Sequence, residues 1–298
     1  MLFTTQAPTG ATSPTVPPPN VNIIHGTHSQ LIAFLVLNIW PSHFAIPLLF
    51  VVIYFRKIER HATFINLGVT FIIAGISSTL LKTYKSRLYA GKTTGPEPAP
   101  VLCLLQASLL YGYPPMTSVA VFALVSQVFL VARATYYKEE YVEKNHLVRT
   151  WALMIAPYIA CLAVVLATVI VGATNPSNVS RNRRFFYCSV KADPLTNFLT
   201  VFAALFLLGS VFIEGQLLSV MYKRYTFLKS QGFNVKHKMD YSMPLRVVAL
   251  GVYSTIALSL SLLSIRAPES PVPDLMIATG GSGCNNAERT PIYSIYSV

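Results

Sequence analysis

The chain has 298 residues, of which 53% are hydrophobic and only 11% are charged, whereas soluble domains carry roughly 25% charged residues. This composition excludes a water-soluble globular protein, because most of the surface would have to be apolar. The formal net charge of +12 does not indicate nucleic-acid binding, since the Lys and Arg residues form short clusters between apolar runs, as in the cytoplasmic loops of membrane proteins. We expect an integral membrane protein whose partner is the lipid bilayer.

The first 28 residues differ in composition from the rest of the chain. They contain no Lys, Arg, Asp or Glu and are rich in Thr and Pro, which is typical of a disordered segment. The sequence therefore predicts a disordered extracellular tail over residues 1–28, a helical membrane bundle over 29–265, and a disordered or truncated segment over 266–298.

Six apolar runs approach or exceed the roughly 20 residues that a helix needs to cross the hydrocarbon core of a bilayer. Only Glu214 and Arg246 are charged within them. A helix satisfies its own backbone hydrogen bonds in lipid, so the runs predict an all-α, polytopic transmembrane bundle. The six runs cover residues 31–55, 64–81, 101–132, 151–171, 195–222 and 244–265.

The third run contains two adjacent prolines near its middle. Pro114 and Pro115 lack an N–H, so the carbonyls of Leu110 and Tyr111 lose their helical donors and need others in lipid. One interpretation is a structural helix kink. The other is a kink that shapes a pocket for a small or amphipathic ligand, open to the outside. The residues expected to line that pocket are Asn38, His43, Gln106, Tyr111, Tyr113 and Ser118.

The distribution of positive charge predicts the orientation. Thirteen of the 23 Lys and Arg residues lie on the side that holds Arg56, Lys57 and Arg60, and ten lie on the other side. The first run has no basic residue before it and three soon after it, and the first span usually dominates insertion. We expect the N-terminus to be extracellular.

Two of the four cysteines fall on the predicted outer side. Cys103 begins the third run, and Cys188 lies in the loop before the fifth run, where an oxidising compartment permits a disulfide. The alternative is two unpaired thiols. Asn178, in the same loop, begins an Asn-Val-Ser sequence, which predicts N-glycosylation.

Four segments carry a resemblance to a known family. They read "RKIERHATFIN" at 56–66, "CLLQASLLYGYPPM" at 103–116, "FYCSVKADPLTN" at 186–197 and "PVPDL" at 271–275. In them the chain resembles the uncharacterised heptahelical, G-protein-coupled-receptor-like proteins of mushroom-forming fungi. The resemblance implies a seven-helix plasma-membrane fold, an extracellular N-terminus, an extracellular ligand and coupling to a heterotrimeric G protein.

The cytoplasmic face departs from well-known receptors. The third run ends in "VARATYY", which keeps only Arg133 of the Asp/Glu-Arg-Tyr motif, and no NPxxY sequence is present. We expect a coupling face at Arg133, Glu214, Lys223 and Arg224, with Glu214 paired to Arg133 or Arg224. The alternative is that these cations only reflect the general excess of positive charge on the inner side.

The segment after the sixth run is too polar to provide a seventh helix. Its one apolar stretch, residues 275–278, cannot cross a bilayer. The resembled family has a last helix here, so the sequence predicts six complete spans plus a truncated seventh. Three interpretations are open: a truncated or alternatively spliced isoform that does not signal, a wrongly predicted exon boundary, and a true six-helix protein with a disordered tail.

Catalysis and transport are two further classes of function. The chain has no HExxH motif, no paired intramembrane aspartates and no Cys/His metal spacing, so we expect no enzyme, metal or cofactor. A transporter or channel is the stronger alternative, because carriers use broken helices and buried charges. Glu214, however, lies about 29 Å along the fifth run, near the cytoplasmic face and away from the midplane.

Overall fold

The structure is a computed structural model that describes residues 21–22, 32–33, 36, 39–57, 62–84, 94–95, 100–137, 143–180, 188–230, 249, 253 and 256. Four predictions lie wholly or mostly outside the described residues: the tail over 1–28 apart from residues 21–22, the position of Asn38, most of the sixth apolar run, and the structure of residues 266–298. The three described residues of that run, Ala249, Tyr253 and Ile256, are helical.

Five α-helices follow one another along the described chain, and a π-helical turn precedes the first of them. A π-helical turn, Trp40–Ala45, leads into α1 (Ile46–Phe55), and α2 (Ala62–Tyr84), α3 (Pro100–Tyr137), α4 (Glu143–Thr174) and α5 (Asp193–Ser230) follow. They coincide with the first five predicted runs, which confirms the all-helical prediction for this part of the chain.

The π-helical turn contains the first proline of the first apolar run and lies just before the second. Pro47 lacks the N–H that would bond the carbonyl of His43 in an α-helix. Ile46 N–H donates to the carbonyl of Pro41, five residues earlier, which is the hydrogen bond of a π-helix. The first apolar run therefore continues as a helix through both of its prolines.

Three of the helices are long and apolar enough to cross a membrane, over Pro100–Ala134, Leu147–Thr174 and Asp193–Phe227. Two shorter apolar helices cover Trp40–Phe55 and Ala62–Ser78. Helices α3 and α5 each have 38 residues, or about 57 Å at the α-helical rise. They therefore extend beyond a hydrocarbon core of roughly 30 Å.

Helix α3 is the centre of the bundle and contacts α2, α4 and α5. One buried cluster joins Leu67 of α2 to Val121 and Val125 of α3, with Ile213 of α5 packed against it. The outward faces of α4 and α5 are apolar and exposed, as at Ile159, Leu166, Leu205 and Phe212. Lipid is the solvent that such faces require, so the chain is an integral membrane protein.

Two short antiparallel strand pairs lie outside the helices. In one, Val21–Asn22 (β1) pairs with Thr94–Gly95 (β2). In the other, Val179–Ser180 (β3) pairs with Ser189–Val190 (β4) after a 3₁₀ turn at Pro176–Asn178. Two residues of the tail predicted to be disordered are thus paired with the segment before α3. The pairing brings that part of the tail to the end of the bundle where α3 begins.

Candidate functional site

The first turn of α3 is covalently joined to the segment before α5. Cys103 and Cys188 form a disulfide across a sequence separation of 85 residues, with a Cα–Cα distance of 5.4 Å. Both cysteines are fully buried. The predicted disulfide is confirmed, and it fixes the β3–β4 hairpin against the start of α3.

The hairpin packs closely on α3 and α4. Lys191 N–H donates to the carbonyl of Asn178 at 2.8 Å, which extends the strand pairing. Val190 is fully buried in a cluster with Cys103 and Cys188. Gly172 of α4 lies where a Cβ atom would meet the side chains of Leu104 and Val179. Glycine therefore permits α3, α4 and the hairpin to meet at this point.

Gln106 connects three parts of the fold. Its side chain is 1% exposed, and its Oε1 accepts a hydrogen bond from Cys188 N–H at 3.3 Å. Its Nε2 donates to the carbonyl of Ser78 in α2 at 3.5 Å, which is at the limit of a hydrogen bond. The stronger of the two contacts holds the hairpin.

Tyr111 makes a further contact with the same hairpin. Its hydroxyl donates to the carbonyl of Val190 at 3.1 Å. Cys103, Gln106 and Tyr111 thus fix β4 along the first three turns of α3 by one covalent bond and two side-chain hydrogen bonds. We call Cys103, Gln106, Tyr111 and the β3–β4 hairpin the outer clamp, after the side of the membrane on which the sequence predicts them.

Helix α3 continues through its two prolines without a break in helical structure. Thr117 Oγ1 donates to the carbonyl of Tyr113 at 3.0 Å, and Ser118 Oγ donates to the carbonyl of Pro115 at 3.1 Å. Pro115 is fully buried and Pro114 is exposed. These hydroxyl groups bond carbonyls of the same helix other than those of Leu110 and Tyr111.

The structure brings together only some of the residues predicted to line a pocket. Gln106 and Tyr111 meet at the outer clamp, Ser118 bonds within its own helix, and Tyr113 is half-buried on α3. His43 is exposed, with its Nδ1 2.8 Å from Ser42 Oγ, whereas Gln106 is fully buried. The ligand pocket stays a prediction.

The cations of the predicted coupling face lie near the ends of α3 and α5, whereas Glu214 lies deeper, next to Ile213 of the buried cluster. Arg133, Lys223 and Arg224 are exposed. Glu214 is 5% exposed, and it lies on the face of α5 that also buries Ser210 and Leu217, at helical spacings of three and four residues. The predicted pairing of Glu214 with an arginine and the coupling role of the face stay predictions.

Asn178 ends the 3₁₀ turn before β3 and is half-buried. Its backbone carbonyl is used by the hairpin, and its side chain lies at the end of the bundle where α3 begins. Glycosylation at this position stays a prediction. Within the described ranges, no group of three or more His, Cys, Asp and Glu side chains has an arrangement that holds a metal ion.

A polar link between α2 and α4 was not predicted. Tyr158 Oη donates to Asn66 Oδ1 at 2.6 Å, and Asn66 Nδ2 donates to the carbonyl of Met154 at 3.0 Å. Asn66 is buried. Polar residues inside apolar runs were the available signal, because such residues normally find a partner on a neighbouring helix.

Comparison of the chain with protein-family models gives no match, and comparison with curated proteins gives none either. The class of the protein therefore rests on its own helices and contacts. It is an all-helical integral membrane protein with three long apolar helices, two shorter ones, and a disulfide that ties a hairpin to the central helix.

Proposed function

We propose that the protein is a receptor-like membrane protein that senses a small or amphipathic extracellular ligand and couples to a heterotrimeric G protein. The proposal includes six spans, an extracellular N-terminus and a plasma-membrane location. The observation that carries it is the outer clamp. A loop between the fourth and fifth spans that is joined to the third by a disulfide gives a receptor a preformed outer face for its ligand.

Three features support the proposed orientation. Disulfides persist on the oxidising side of a membrane, which favours an extracellular outer clamp. The β1–β2 pairing brings part of the N-terminal tail to that same end. Arg133, Lys223 and Arg224 are exposed at the opposite end, as the bias of cytoplasmic loops toward positive charge requires.

Arg133 provides the test of coupling. We propose to express the chain in yeast that lacks its own receptors, together with a tagged Gα and Gβγ pair, and to measure energy transfer between the two tags without added ligand. The chain is expected to lower energy transfer through basal activation. Arg133→Ala is expected to restore the level measured without the receptor.

Lys191→Ala is the matched control, because Lys191 is also an exposed cation but lies next to the hairpin. It is expected to behave like the parent chain. Unchanged energy transfer with every Gα class would refute coupling, and an Arg133→Ala variant that signals normally would remove Arg133 from the coupling face.

The proposed pocket is better tested at Tyr113 than at Gln106. A bulky replacement of Gln106 would release the hairpin, so a lost response would not distinguish binding from folding. Tyr113 is half-buried on α3 and is followed by the exposed Pro114. Tyr113→Trp is expected to change basal signalling at normal surface expression, and an unchanged signal would place Tyr113 outside the pocket.

Transport is the second candidate, and the buried position of Glu214 favours it. Carboxylates inside membrane helices often mark ion paths. Proteoliposomes with an internal pH-sensitive dye distinguish the two functions. A receptor is expected to give no proton flux above empty liposomes, whereas a flux that disappears in Glu214→Gln would assign the protein to transport.

A further inference from the structure

Hydroxyl groups in the described helices commonly donate to a carbonyl of their own helix. Thr70 donates to Leu67 at 2.7 Å, Ser77 to Ile73 at 2.8 Å, and Ser210 to Phe206 at 3.0 Å. This local bond to the residue three or four positions earlier is the usual way in which Ser and Thr are satisfied in an apolar helix.

Three hydroxyls and one amide depart from this pattern. Thr63 Oγ1, Ser126 Oγ, Thr150 Oγ1 and both Nε2 and Oε1 of Gln127 are buried and form no hydrogen bond with the part of the chain that the structure describes. Gln127 is 1% exposed. An amide in an apolar interior needs partners for its two donors and its acceptor.

The register of the helices places these residues at one depth. Gly112 of α3 faces Cys161 and Val165 of α4, and Leu104 faces Gly172. Helices α3 and α4 are therefore antiparallel. Gln127 lies as far beyond Gly112 on α3 as Thr150 lies before Val165 on α4, so Gln127 and Thr150 are at the same level.

Helix α2 reaches the same depth from its own side. Leu67 of α2 packs in one cluster with Val121 and Val125 of α3. One helical turn before Leu67 lies Thr63, and the antiparallel register brings it level with Gln127. Thr63, Gln127 and Thr150 therefore lie at about the same depth on three different helices.

Two of the three residues also lie close in sequence to the link between α2 and α4. Thr63 shares a helix face with Asn66 and Thr70, both buried, since residues three and four apart lie together. Thr150 is four residues from Met154, whose carbonyl accepts the bond from Asn66. The polar layer thus lies next to the link between α2 and α4.

We propose that Thr63, Gln127 and Thr150 form a binding site for ordered water inside the bundle. Water fits the set because it donates two hydrogen bonds and accepts two, and a buried water makes about three bonds to otherwise unsatisfied groups. Gln127 supplies both a donor and an acceptor, and each threonine hydroxyl supplies either. The water continues the Asn66–Tyr158 link toward the Arg133 end of the bundle.

Gln127→Leu tests the proposal by the sign of its effect. If water satisfies the amide, the apolar replacement leaves the two hydroxyls and the water with fewer partners, and the Tm in detergent is expected to fall by about 3 °C. If no water binds the Gln127 amide, replacing it with leucine removes buried polar atoms that have no hydrogen-bond partner, and the Tm rises.

A second measurement detects the water directly. In hydroxyl-radical footprinting by synchrotron X-rays, radicals formed from bound water oxidise the side chains next to it. We expect the oxidation rate of Met154 to fall about threefold in Gln127→Leu, because the ordered water is the local source of radicals. Met116, which is 1% exposed on α3, lies away from the layer and is the control.

Thr150→Val, which removes one hydroxyl at nearly constant volume, keeps the test available if Gln127→Leu does not fold. It is expected to lower Met154 oxidation and to leave Met116 oxidation unchanged. A Tm for Gln127→Leu that is unchanged or higher would overturn the proposal. Met154 oxidation that is the same in the parent chain and the folded variant would overturn it as well.

Discussion

Replacing Gln106 with leucine tests how the outer clamp is held. Gln106 Oε1 is the acceptor for Cys188 N–H at 3.3 Å, and Cys188 is fully buried. Leucine has a similar volume but no acceptor, so the Cys188 N–H is left buried and unsatisfied. We expect a loss of about 1–3 kcal/mol in the free energy of unfolding. The 3.5 Å contact to Ser78 adds little.

The assay is thermal unfolding in detergent with a thiol-reactive dye. Among the described residues Cys161 is a free, half-buried cysteine, and it becomes reactive when α3 and α4 separate. For a chain of this size the expected loss corresponds to a Tm about 2–12 °C lower. Ser108→Ala is the matched control, because the Ser108 hydroxyl is equally buried but donates only within its own helix.

A variant without the disulfide provides a second background for the Gln106→Leu substitution. With Cys103 and Cys188 both changed to alanine, the hairpin is no longer tethered, and Gln106→Leu is expected to cost less than in the oxidised protein. Residues that act on one hairpin should be coupled in this way. An unchanged Tm for Gln106→Leu in the oxidised protein, or an equal loss in the two backgrounds, would refute the reasoning.

Three other predictions each concern a single residue. Tyr158→Phe removes the bond to Asn66 and is expected to lower stability by about 1 kcal/mol, as for other hydrogen bonds between membrane helices; a Tm equal to that of the parent chain would contradict it. Gly172→Val is expected to push Leu104 aside and cost about 1–3 kcal/mol by overpacking, measured by the same unfolding assay, whereas Gly172→Ala should cost less. If Asn178 carries a glycan, Asn178→Gln should abolish the shift in gel mobility caused by a glycosidase, and a shift that persists would place the glycan elsewhere.

The helices were the most predictable part of the fold. A bilayer imposes one length and one polarity on every span, so each span can be recognised within its own stretch of sequence. The first five runs confirm this. The pairing of Cys103 with Cys188 was predictable for a similar reason, since alternation of spans assigns both residues to the same side of the membrane.

Side-chain partners were less predictable. Gln106 and Tyr111 form hydrogen bonds to the hairpin that the sequence did not predict. The bond between Asn66 and Tyr158 joins residues 92 positions apart. Which face a helix turns toward its neighbours depends on packing across the whole bundle, and hydropathy along one helix gives no information on it.

The disulfide of the outer clamp also sets an order of events during synthesis. Cys103 leaves the ribosome 85 residues before Cys188, which at roughly 5–20 residues per second is an interval of about 4–17 s. Throughout that interval Cys103 is a thiol without its partner, while α4 is still being made and inserted. Formation of the Cys103–Cys188 bond therefore has to wait until the whole of α4 has been synthesised, so the bond can lock the β3–β4 hairpin onto α3 only after the α3–α4 pair is complete.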